Sequence, residues 1–133
     1  MAPGQATELL ITGDETALPA VRGILASLGP RHRGRVLVEV GDPADAVGLT
    51  ATHPGRTVEL CRRPGRPLLD AVADWTRAHG AAAARLGDRF YAWNATESTR
   101  VARLRRMLHD AGVAPERVHA QGYWHDRPRP AAR

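Results

Sequence analysis

The stretch LLITGDETALPAV, residues 9–21, decides the fold, because it changes from an apolar run to an acidic turn and then to a helical pattern. Residues 7–12 (TELLIT) predict a short buried strand. Apolar residues then recur with the spacing of one helix face: Val21, Ile24, Leu25 and Leu28. Pro19 suits the first turn of that helix, where a backbone N–H has no intrahelical partner. This order of strand, tight turn and helix is typical of the first unit of a parallel α/β sheet.

The same alternation continues along the rest of the chain. Residues 79–88 fit either a short helix or a loop, and residues 41–49 fit a turn. Further strands are predicted at 35–40, 57–61, 89–93 and 116–124, and amphipathic helices at 68–75 and 96–111. Alternating strands and helices predict a doubly wound, mostly parallel five-stranded sheet with helices on both faces.

The length of 133 residues suits one domain, which we place at 7–126 between a disordered start at 1–6 and a Pro/Arg-rich tail at 127–133. Cys61 is the only cysteine, so a disulfide framework and a cysteine-based zinc site are both excluded. The six histidines are scattered, with no pair at metal-ligand spacing, and no metal site is expected. The sequence contains no signal-peptide pattern and no membrane-spanning run, so we expect a cytoplasmic protein without membrane contact.

The positive charge of the chain has a compositional explanation. The formal net charge is +5, and all 19 basic residues are arginine. The abundance of alanine beside arginine indicates a coding bias toward GC-rich codons, so a diffuse arginine surface is favoured over a nucleic-acid groove. We therefore do not expect nucleic acid as a partner, whereas an anionic small ligand is compatible with the charge.

Ligands of such sheets bind at the carboxyl ends of the strands, near the point where the strand order reverses. Two predicted loops lie at that edge, at 13–17 and at 94–98. Each leads directly into a helix and so offers backbone N–H groups and the positive end of a helix dipole. These two loops are the predicted binding edge of the domain.

Four segments in this order resemble the C-terminal, nicotinamide-nucleotide domain of siderophore-interacting proteins, which belong to the ferredoxin-reductase-like superfamily. The first two are GDETALPAV (13–21) and VLVEVGDPAD (36–45), and the last two are YAWNATESTRVARLRRML (91–108) and RVHAQGYWHD (117–126). The resemblance covers roughly residues 7–126. It implies a Rossmann-like fold of the ferredoxin-reductase C-terminal type.

The resemblance also implies a reaction. In the family, NADPH or NADH gives hydride to a flavin, and the reduced flavin reduces the iron of a ferric siderophore. The flavin-binding barrel that precedes this domain in the family has no counterpart before residue 7. FAD is therefore expected only through a separate flavoprotein partner, and self-association is the other partner expected.

Carried over to this chain, the resemblance implies a cofactor site with no assigned catalytic residue. The pyrophosphate would lie over Gly13, Asp14, Glu15, Thr16 and Ala17. Arg62 is a candidate clamp for a 2′-phosphate, with a solvated arginine as its alternative. The ribose and nicotinamide would lie near a second group: Ala95, Thr96, Glu97, Tyr123 and Trp124.

Two features of this site leave alternatives open. The family has Ala-Gly-Glu after the fourth strand, and here Thr96 puts a side chain where glycine would let a ligand approach, or else caps the next helix through its hydroxyl. Asp14 and Glu15 either complement a helix dipole or shape a turn for the phosphates. The alternative function is an orphan domain that has lost redox activity and serves as a binding or assembly module or as a non-redox enzyme.

Overall fold

The structure is a computed structural model that describes residues 6–46, 48–49, 56–62, 65 and 67–124, with the side chains of 121–124 outside the description. The predicted tail at 127–133 and all but the last residue of the predicted disordered start lie outside these residues. That last residue, Ala6, is fully buried against the core.

Five strands and three helices follow one another in the predicted order, and between β2 and β3 the described residues contain a 3₁₀ turn and no α-helix. The strands are β1 (Glu8–Asp14), β2 (Arg33–Val40), β3 (Arg56–Arg62), β4 (Phe90–Glu97) and β5 (Val118–Trp124). The helices are α1 (Leu18–Ser27), α2 (Leu68–Leu86) and α3 (Ser98–Asp110). Short 3₁₀ turns occupy Glu15–Ala17, Pro43–Ala46, Gly87–Arg89 and Pro115–Arg117.

The strands form one sheet in the order β3-β2-β1-β4-β5, and every neighbouring pair is parallel. The predicted doubly wound, parallel five-stranded sheet is therefore confirmed. The chain builds outward from β1 to β3 on one side and continues with β4 and β5 on the other. The topological switch point thus lies between the carboxyl ends of β1 and β4.

Each face of the sheet is covered by its own apolar layer, because successive strand residues point to opposite faces. Leu9 and Ile11 of β1 pack on the face covered by α1. Leu10 and Leu37 pack on the opposite face, which α2 and α3 cover. Burial on both faces explains why the strands read as nearly continuous apolar runs in the sequence.

The structure differs from the prediction at three connections. Residues 79–88 are neither a separate helix nor a loop, because α2 continues to Leu86 through a run of four alanines, the strongest helix formers. The predicted loops at 13–17 and 94–98 are also wrong in extent. β1 continues to Asp14 and β4 to Glu97, since these residues are buried and paired with neighbouring strands.

Tyr91 of β4 is a buried residue of the α1 face whose hydroxyl has no hydrogen-bond partner within the described part of the chain. Burial raises the pKa of this tyrosine above 10.0, and the nearby Arg117 guanidinium, 5.6 Å from the ring centroid, opposes that rise. Above the unfolded pKa, tyrosine ionises in the unfolded chain before it does so in the folded one. Rising pH therefore lowers the stability of the native domain.

We expect Tyr91→Phe to raise the free energy of unfolding by about 1 kcal/mol at neutral pH, because it removes an unpaired buried hydroxyl. The gain should grow above the ordinary tyrosine pKa of 10.0, where phenylalanine cannot ionise. Urea unfolding of both proteins at neutral and alkaline pH measures this. A clear destabilisation by Tyr91→Phe at neutral pH would contradict the prediction.

Candidate functional site

The carboxyl edge of the sheet carries a buried group of charged and polar side chains, which we call the carboxyl-edge cluster. Its members are Asp14, Glu39, Thr96, Glu97 and Arg100. The carboxylates end or nearly end β1, β2 and β4, and Arg100 lies in the first turn of α3. The cluster therefore surrounds the switch point between β1 and β4.

Asp14 is fully buried and uses both carboxylate oxygens. Its Oδ1 accepts hydrogen bonds from the Thr16 backbone N–H at 2.9 Å and from the Thr16 hydroxyl at 2.5 Å. Its Oδ2 accepts a bond from the Thr96 hydroxyl at 2.7 Å. Asp14 therefore caps the 3₁₀ turn at Glu15–Ala17 and joins β1 to β4 by side-chain contact.

Arg100 bridges the two fully buried carboxylates of the cluster. Its Nη1 donates to Glu39 Oε1 at 2.6 Å, and its Nη2 lies 3.4 Å from Asp14 Oδ2. The same Nη2 donates to the Thr96 hydroxyl at 2.9 Å. The side chain of Arg100 is 17% exposed, so one edge of the guanidinium reaches the surface.

Glu39 and one further carboxylate, Glu97, hold the starts of α2 and α3. The remaining oxygen of Glu39 accepts the backbone N–H of Leu68, the first residue of α2, at 2.9 Å. Glu97 accepts the backbone N–H groups of Thr99 and Arg100 and so caps α3. The 3₁₀ turn before α1 and the helices α2 and α3 thus each begin against a carboxylate of the chain itself, which complements the helix dipoles.

A second polar pair lies one layer deeper on the same face. The Thr12 hydroxyl donates to Asn94 Oδ1 at 2.6 Å, and Asn94 Nδ2 donates to the carbonyl oxygen of His119 at 3.4 Å. Both polar side chains are fully buried. Because buried polar groups need partners, these bonds fix the lateral register of β1, β4 and β5 below the carboxyl-edge cluster.

The structure places the first group of predicted site residues together but buries much of it. Gly13 is in close contact with its surroundings, since a Cβ there would lie 3.1 Å from the Ala17 Cβ and from the Ala95 carbonyl oxygen. Ala17 and Ala95 are fully buried, whereas Thr16 is exposed and Glu15 is partly exposed. Gly13 therefore allows close packing of β1, β4 and the 3₁₀ turn.

The other predicted site residues lie on three different strands, β3, β4 and β5. Thr96 and Glu97 lie at the end of β4. Of the two alternatives for Thr96, capping of α3 is wrong, because Glu97 is the cap and the Thr96 hydroxyl binds Asp14. Arg62 is exposed at the end of β3, two strands away from β1. The backbones of Tyr123 and Trp124 belong to β5, and their side chains lie outside the described residues.

Sequence reasoning missed Glu39 as a site residue and assigned Arg100 no partner. A signal for Glu39 was present, since it is the one charged residue within the apolar run VLVEV of β2. A carboxylate within a strand buried on both faces requires a cation or several donors. Its partner comes from α3, 61 residues further along the chain, and no local pattern identifies it.

No helix in the described part of the chain is long and apolar enough to cross a membrane. In the same part of the chain, no group of three or more histidine, cysteine, aspartate or glutamate side chains is placed to hold a metal ion.

Comparison with known proteins gives a family match. The model of a protein family described as "Siderophore-interacting protein" matches residues 6–127. The chain is 27% identical over 119 residues to the mycobactin import ATP-binding/permease protein IrtA of Mycobacterium tuberculosis, covering 86% of this chain and 12% of that protein.

Solved structures share the fold. The siderophore-interacting protein SipS from Aeromonas hydrophila superimposes with a TM-score of 0.72 at 23% identity, covering 91% of this chain and 52% of that one. A siderophore-interacting protein from Acinetobacter baumannii gives a TM-score of 0.73 at 20% identity, covering 95% and 50%. The chain thus spans about half the length of these solved structures and 12% of the matched IrtA.

Proposed function

The chain belongs to the siderophore-interacting protein family, and on that premise we propose that it is the nicotinamide-nucleotide-binding component of a flavin-dependent ferric-siderophore reductase system. NADPH or NADH would supply hydride to a flavin on a separate protein or domain, and the reduced flavin would reduce the siderophore-bound iron. The similarity to a protein named for mycobactin import supports a siderophore system as the setting.

The observation that carries this proposal is the switch point between β1 and β4. Ligands of open parallel sheets bind outside the strand ends at such a point. Here the exposed Thr16 and the partly exposed Glu15 lie on one side of it, and the start of α3 at Ser98 lies on the other. The carboxyl-edge cluster holds these two sides in a fixed relation before any ligand arrives.

The site carries more negative than positive side chains, which opposes the binding of an anionic pyrophosphate. Asp14, Glu39 and Glu97 bring three carboxylates to this edge, and Arg100 is the guanidinium that bridges two of them. A dinucleotide therefore needs additional cations, and Arg62, exposed at the end of β3, is suited to the 2′-phosphate that distinguishes NADPH from NADH.

A second candidate function is a binding or assembly module that does not take the cofactor. The capping pattern favours it: backbone N–H groups at the starts of α2 and α3 and of the 3₁₀ turn bind carboxylates of the chain. Such N–H groups are the ones that phosphates use in nucleotide-binding folds. In this reading the domain contributes a surface to a flavoprotein partner.

Titration of the purified chain with NADPH and NADH, by calorimetry and by saturation-transfer NMR, separates the two functions. We expect binding of both, weakened by Thr16→Trp, which places a large side chain at the switch point. Arg62→Gln should weaken NADPH more than NADH, whereas Arg103→Gln, on the exposed face of α3, should change neither. No binding at millimolar concentrations of either nucleotide would overturn the first function and leave the second.

A further inference from the structure

A cavity of about 440 Å³ opens at the amino end of the sheet, beneath the C-terminal half of α2. It lies at the opposite end of the strands from the switch point. Leu9, which lines the cavity, is five residues from Asp14 along β1, a distance of about 17 Å at ~3.3 Å per residue. The cavity is therefore separate from the carboxyl-edge cluster.

Small residues leave the space for this cavity. Ala82 and Ala83 line it from α2, where larger side chains would fill the gap. Two aromatic rings form its apolar wall: Trp75, 8% exposed, and Phe90, 2% exposed. Their centroids are 5.8 Å apart with an angle of 22° between the ring planes. Because the rings stack on each other and are nearly buried, they offer the cavity a small apolar contact rather than an open ring face.

An arginine belongs to the same lining. Arg35 lines the cavity and alternates with the buried Leu37 on the α2 face of β2. It is half-buried, and it has no ion-pair or hydrogen-bond partner within the described residues. A half-buried arginine without a carboxylate is an attractive site for a planar anion, which its fork of N–H donors binds in a bidentate way.

The charged side chains at the rim of the cavity determine which ligand charge the cavity can accept. Glu8 and Arg33 lie at the rim, with Arg33 Nε 3.9 Å from Glu8 Oε1, so these two exposed groups largely offset each other. His79 lies at the same rim, with its ring 6.0 Å from that of Trp75. One guanidinium thus remains for the ligand, which matches a single negative charge better than a doubly charged phosphate.

We propose that this cavity binds a small organic carboxylate, with its apolar part against Trp75 and Phe90 and its carboxylate on Arg35. The volume falls within the roughly 300–1,000 Å³ typical of small-molecule sites. The proposal is independent of nucleotide binding, because the cavity and the switch point lie at opposite ends of the sheet.

Indole-3-acetate is a suitable probe, with the neutral indole-3-acetamide as its matched analogue, and ligand-observed NMR on the full chain measures both. We expect the acid to bind about tenfold more tightly than the amide, since one charge-assisted bidentate contact distinguishes them. Arg35→Gln should abolish this preference. Arg85→Gln, an exposed arginine of α2 outside the cavity lining, should retain it.

Ala82→Trp tests the location without cutting into the core, because Ala82 is an exposed residue of the lining. Circular dichroism confirms that the variant is folded, and we expect it to lose both probes. NADH, added as a competitor, should not displace the acid. The proposal is overturned by equal affinity for acid and amide, by binding that survives Ala82→Trp, by displacement with NADH, or by no binding at millimolar probe.

Discussion

Replacing Arg100 with methionine is expected to lower the free energy of unfolding by about 3–5 kcal/mol. Asp14 and Glu39 are fully buried, and Arg100 is the cation that contacts both. Methionine preserves much of the aliphatic length of the side chain but leaves two carboxylates in a region of low dielectric without their counter-ion. The cost approaches the whole stability of a small domain, about 5–15 kcal/mol.

Urea unfolding followed by circular dichroism measures this loss, with three matched variants. Arg103→Met removes an exposed arginine from the same helix and should cost no more than about 0.5 kcal/mol. Arg100→Lys keeps the positive charge but loses the planar guanidinium that donates to two carboxylates at once. Its cost should lie between those of Arg103→Met and Arg100→Met. Glu39→Gln added to Arg100→Met should recover part of the loss, because it removes one of the two uncompensated charges. Equal costs for Arg100→Met and Arg103→Met would show that the cluster does not stabilise the fold.

Gly34→Ala is the second change with a large expected effect, a loss of at least about 3 kcal/mol. Gly34 of β2 has φ +145°, a conformation that side chains rarely adopt. A Cβ there would collide with the carbonyl oxygen of Leu9 in β1. The collision cannot be relieved by a side-chain rotation, because the nearest atoms all belong to the Leu9 backbone. Relief of the collision requires the first residues of β1 and β2 to separate.

Gly23→Ala is the matched control for this change. Gly23 lies within α1, and a Cβ there would meet nothing within 4 Å. Alanine should therefore stabilise the domain by about 0.5–1 kcal/mol, because it reduces the conformational freedom of the unfolded chain within a helix. Thermal unfolding of the two variants should shift in opposite directions. A neutral Gly34→Ala would contradict the close approach of β1 and β2.

Much of the fold could be predicted because its signals are local. The apolar run at 7–12, Pro19 in the first helical turn and the amphipathic spacing at 96–111 each depend on residues within a few positions of one another. The boundaries at the carboxyl edge were less accurate. β4 continues four residues beyond the predicted end, because Asn94 and Thr96 find polar partners on β1.

By itself, the amino-acid sequence determined the alternation of strands and helices, the parallel sheet and the edge on which Gly13, Asp14 and Glu97 lie. These features follow from periodicity and turn chemistry, which act over short distances along the chain. Only the tertiary structure decided that Asp14, Glu39 and Arg100 form one buried ion cluster and that Arg35, Trp75 and Phe90 line one cavity. The ion pairs of the cluster join residues 61 and 86 positions apart, and burial gives them their energy, which no local pattern encodes.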